Sequence, residues 1–82
     1  MWTVEDELHA DHIGRYATCY EALAEVRRRL AQPWDGEENR APCESWQTCG
    51  RHYILFPPSA ASGEWISVAR IDAGSVRWFL AD

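Results

Sequence analysis

Residues 12–31 read HIGRYATCYEALAEVRRRLA, and how this stretch is divided decides the fold. Ile13, Tyr16, Tyr20, Leu23 and Leu30 fit a helical stripe, which would make 12–31 one long helix. Two features argue for a division instead. Gly14 would cost about 1 kcal/mol in a helix interior. Thr18-Cys19-Tyr20-Glu21 has the form of a capping box, with Thr18 at the N-cap and Glu21 three residues on, which starts a helix at residue 18. The stretch is therefore read as the end of a hairpin followed by a helix from about 19 to 31. Cys19, Leu23, Val26 and Leu30 share one face of that helix, widened by Ala22. Glu25 and Arg29 form an i,i+4 pair in the favourable order, and Pro33 stops the helix. Cys19 is then a small hydrophobe in the first turn rather than a reactive thiol.

Upstream, Trp2 to Leu8 alternates with period two. Trp2, Val4 and Leu8 fall on one face and Thr3, Glu5 and Glu7 on the other, the pattern of a half-buried strand. Asp6 lands on the apolar face, an inward charge of the kind that keeps an edge strand from pairing further. His9 to His12 read as a turn, and Ile13 to Ala17 as the second strand. Downstream, His52 to Phe56 is apolar on both faces, as in an interior strand. Trp65 to Ile71 and Val76 to Leu80 follow, separated by the turn signal Asp72-Ala73-Gly74-Ser75. The expected architecture is α+β: ββαβββ, an antiparallel five-stranded sheet with one helix on one face and a long loop between the helix and the third strand. The 82 residues form a single domain, 1–82.

One helix covers only one face of such a sheet. Whichever register holds, the other face receives a share of Tyr53, Trp65, Trp78 and Phe79. That excess of rings predicts a protein partner, most simply a second copy of the chain in a homodimer.

Composition excludes more than it identifies. The formal net charge is −5, with 13 acidic and 8 basic residues, and all the basic residues are Arg. An acidic chain is a poor ligand for nucleic acid, whose affinity comes from Lys and Arg on phosphates. Arg27, Arg28 and Arg29 point in different directions on a helix and suit its C-terminal dipole. The opening MWTVEDELHAD is acidic and has no apolar run, so neither a signal peptide nor membrane association is expected. The expectation is a cytoplasmic protein whose three cysteines are reduced.

The loop and strand start over residues 33–53 hold two of the five Trp and two of the three Cys. Loops this long within a short domain are functional or disordered as a rule, and the aromatics argue for order. Trp34, Arg40, Trp46, Cys49, Arg51 and His52 are the candidate ligand-binding residues. Cys43, Cys49 and His52 have zinc-ligand chemistry in the spacing C-x5-C-x2-H, with His9 or His12 as a fourth ligand. Structural zinc sites prefer C-x2–4-C, so no metal or other cofactor is expected. A helical turn between Pro42 and Gly50 would hold Cys43 and Cys49 too far apart for a disulfide. The acidic run Asp35 to Asn39 lacks the alternating ligands of a calcium loop. Arg40 and Arg51 would pin the loop or clamp an anion. The sequence shows no nucleophile–base–orienter set around Cys49, so no catalytic residue is assigned.

The run Asn39-Arg40-Ala41-Pro42-Cys43, with Trp46, Cys49-Gly50-Arg51 and Tyr53 after it, resembles a stretch in small uncharacterised bacterial proteins. The resemblance implies no activity. Short lone chains of this kind are common cargo of mobile gene cassettes. Two functional classes follow: a non-enzymatic interaction or regulatory module using the aromatic face, or a small-ligand or metal-binding protein, or a minor enzyme, using the 33–53 loop.

Overall fold

Thr18 does begin the helix. In a computed structural model that describes residues 1–32, 50–58, 63–72 and 75–80, Thr18 is extended and its Oγ1 accepts the Glu21 N–H at 3.1 Å. Helix α1 (Cys19–Leu30) follows β1 (Trp2–Asp6) and β2 (Asp11–Tyr16), and precedes β3 (Arg51–Phe56), β4 (Ile66–Asp72) and β5 (Ser75–Trp78). The long-helix stripe fails at Tyr20, which is 80% exposed. Ile13 and Tyr16 instead belong to β2 and pack on the core from there. Gly14 matters in that strand, since a β-carbon there would stand 2.6 Å from the Tyr16 hydroxyl.

The sheet order is β2-β1-β3-β4-β5, antiparallel throughout. The chain leaves β2, passes through α1 and returns as β3 on the far side of β1, so β2 and β3 flank β1 in parallel. Such a return needs a crossover rather than a hairpin. β3 to β5 form the expected meander. β1 is thus an interior strand, which corrects the reading of Asp6 as an edge guard. Its inward carboxylate is fully buried and has a different role, described below.

Helix α1 packs across β1, β2 and β4. Ala22 and Val26 on its inner face meet Val4, Tyr53, Leu55, Val68, Ala69 and Ile71 of the sheet. Cys19, Leu23 and Leu30 widen the contact, and Trp2, Trp78 and Leu80 close its margins. Tyr53 and Trp78 therefore lie on the helix side and contribute nothing to the opposite face. Glu25 holds the helix end: it accepts from Arg28 Nη2 at 2.7 Å and Arg29 Nε at 2.8 Å. No helix among the described residues is long and apolar enough to cross a membrane.

Two bulges set the phase of the strands. Val4 faces Gly14 while Glu5 faces His12, which leaves Ile13 extra. Tyr53 faces Ala69 while Ile54 faces Ser67, which leaves Val68 extra. Without the second bulge, period-two pairing would put Ser67 opposite Leu55 on the helix side. With it, Ser67 stands opposite Ile54 on the other face.

Candidate functional site

Neighbours in a strand point to opposite faces, and this separates Arg51 from His52 at the start of β3. Arg51 turns toward the helix side. Its Nη1 donates to Asp6 Oδ2 at 3.1 Å and to Asp11 Oδ2 at 3.2 Å, which ties β3 to both ends of the first hairpin's turn. The Asp6 carboxylate is the hub of this arrangement. It also accepts the backbone N–H groups of His52 at 3.0 Å and Leu8 at 3.2 Å, and it is hydrogen-bonded to His9 Nδ1. A buried charge must be paired and fully hydrogen-bonded, and Asp6 is both. The Arg51 guanidinium is thereby committed to structure, as is the His9 ring.

His52 turns to the other face, where the two neighbouring strands each bring a polar group to it. Glu7 extends β1 beyond Asp6, its N–H donating to the His52 carbonyl at 2.8 Å. This places the Glu7 Oε1 3.3 Å from His52 Nδ1. On the opposite side, the bulge at Val68 brings the Ser67 Oγ to 2.8 Å from Nε2. Bulges commonly re-aim a side chain in this way. A carboxylate only accepts, so in the neutral imidazole Nδ1 carries the proton toward Glu7 and Nε2 accepts from the Ser67 hydroxyl. The ring is walled by aromatics: Trp65 meets it edge-on at 5.6 Å and Phe79 at 6.0 Å. Arg77 stacks over Phe79 at 5.0 Å, and Arg70, the register partner of His52, shares the face.

This face is only partly open. His52 and Ile54 are 7% and 2% exposed, whereas Trp65 and Phe79 are 44% and 38% exposed. No cavity opens among the described residues. The chemistry available is a hydrogen-bonded Ser–His–carboxylate line flanked by two accessible rings and a stacked cation.

Of the candidate ligand-binding residues, Arg51 and His52 are placed and they do not share a site. Trp34, Arg40, Trp46 and Cys49 lie outside the described residues, as do Cys43, Pro42 and the acidic run 35–39. His12 pairs with Glu5 at 3.8 Å. Cys19 is a free, half-buried thiol packed against the core. Sequence reasoning passed over Glu7 and Ser67. Each sits at an ordinary polar position of an alternating strand, and nothing local marks either one. The only signal was their placement on the polar phase of strands beside a histidine. Comparison of the chain with protein-family models, curated proteins and solved structures finds no match in any of the three.

Proposed function

We propose that the chain is an interaction module that self-associates as a two-fold homodimer through the sheet face turned away from α1. The observation that carries this reading is the pair of exposed rings, Trp65 and Phe79, bordering His52 on that face. Charge supports a second copy as the occupant. Glu5 and Glu7 lie on the β1 side of this face and Arg70 on the β4 side. A two-fold axis along the strands lays the acidic side of one copy over the basic side of the other. Arg15 and Arg77, on the outer strands β2 and β5, fall at the rim, where solvent screens their repulsion.

The exposed parts of the two rings on two copies come to about 300 Å², worth roughly 8 kcal/mol. Association costs about 4–15 kcal/mol in lost freedom, so the dimer is a weak one. Sedimentation equilibrium over a wide concentration range is the test. The average mass should rise above the 9.4 kDa of one chain as concentration increases, and Trp65→Ser with Phe79→Ser should suppress the rise. A chain that stays at its monomer mass throughout rules the reading out.

A further inference from the structure

We infer that Ser67, His52 and Glu7 form a nucleophilic site able to cleave carboxylic esters whose acyl part is apolar. The warrant is geometric. The groups of an activated serine are a hydroxyl on an imidazole nitrogen and a carboxylate on the other nitrogen. Here they stand at 2.8 Å and 3.3 Å, supplied by β4, β3 and the residue that follows β1. The longer spacing to Glu7 is within what unliganded sites show. The β4 bulge at Val68 puts Ser67 on the His52 face. Trp65 and Phe79 offer an apolar acyl group two rings to lie against. Arg70 and Arg77 lie on the same face and give it positive charge.

The chemistry balances without a cofactor. Ser67 Oγ bonds to the acyl carbon, its proton passes to His52 Nε2, and the carbon–oxygen bond to the alcohol breaks. The departing alkoxide takes the proton from Nε2. Water then gives a proton to Nε2 and its oxygen to the acyl carbon, the Ser67 ester bond breaks, and the proton returns to Oγ. Glu7 touches no substrate atom; it is a positioning residue that holds the Nδ1–H tautomer. The face is only partly open around His52, and the exposed edges of Trp65 and Phe79 are where the acyl group of a small, activated ester would lie.

This inference does not rest on self-association. Pairing across the same face would cover Ser67, so the experiment uses a concentration at which sedimentation finds the monomer. The intact protein is treated with an alkyl fluorophosphonate and with p-nitrophenyl butyrate, and its mass is followed. One adduct should form, mapping to Ser67, and Ser67→Ala should remove both the adduct and ester turnover. His52→Gln should slow labelling by about 100-fold, the lower end of what a general base contributes. Glu7→Gln, at a more exposed position, should leave the fold intact and slow labelling by a smaller factor. Its circular dichroism spectrum, unchanged from the parent, separates lost orientation from lost fold. An unlabelled Ser67, or labelling that Glu7→Gln and His52→Gln leave at the parent rate, overturns the inference.

Discussion

Asp6→Asn is the substitution that tests the architecture most directly. The carboxylate is fully buried and accepts from Arg51, His9 and the backbone N–H groups of His52 and Leu8. Outright removal in Asp6→Ala takes the fully buried carboxylate from a buried guanidinium and leaves two backbone donors without this acceptor. Breaking a buried ion pair in this manner costs about 3–5 kcal/mol, set against roughly 4–12 kcal/mol of total stability for a chain of this length. Asp6→Asn is gentler. The amide oxygen still serves the backbone donors, and the loss is the charge-assisted part, about 2–3 kcal/mol. With a urea slope near 1 kcal/mol per molar, the midpoint should fall by roughly 2–3 M, read by tryptophan fluorescence. Asp11→Asn, which removes the more exposed of the two carboxylates on Arg51, should cost less than about 1 kcal/mol. An Asp6→Asn midpoint within about 0.5 M of the parent, or one that rises, would refute the hub. A rise is what removing an unpaired inward charge would produce.

Three further outcomes follow from local geometry. Thr18→Ala should lower stability by about 1 kcal/mol through loss of the N-cap; an unmoved denaturation midpoint would mean that the cap contributes nothing. Ala10 sits at φ 51° between β1 and β2, a left-handed conformation that an L side chain resists. Ala10→Gly should therefore raise stability by about 0.5–1 kcal/mol, and a lower melting temperature would count against the strain. The hydrogen bonds from Arg28 and then Arg29 hold the Glu25 carboxyl below its ordinary range. Its contribution is complete above the ordinary glutamate pKa and is lost as pH falls through the lower folded value. The stability gap between the parent and Glu25→Gln should accordingly close in acid, and a gap that ignores pH would contradict the pairing.

The helix start was legible because its signals are neighbours in the chain: a hydroxyl at 18, an amide at 21 and a stripe read within three turns. The strands were legible as alternation, with ends that shifted by a residue or two. Trp65 and Phe79 fall just outside β4 and β5, where regular pairing has already stopped. The phase of β4 was not legible. A bulge at Val68 depends on how Ile54 and Tyr53 pair across the sheet, and a period-two pattern carries no trace of it.

What the sequence determined by itself is the set of elements, because turn chemistry, capping and periodicity act over a few residues. The order β2-β1-β3-β4-β5 was left to tertiary structure, since whether β3 lands beside β1 or β2 is settled by which faces can be buried together. That decision turned Asp6 from an edge guard into a buried hub 45 residues from Arg51. It also carried Glu7 to His52 across the same gap, and the β4 bulge brought Ser67 to the ring from the other side. Contacts of that separation arise only when the strands pair, so no local pattern in the chain could announce them.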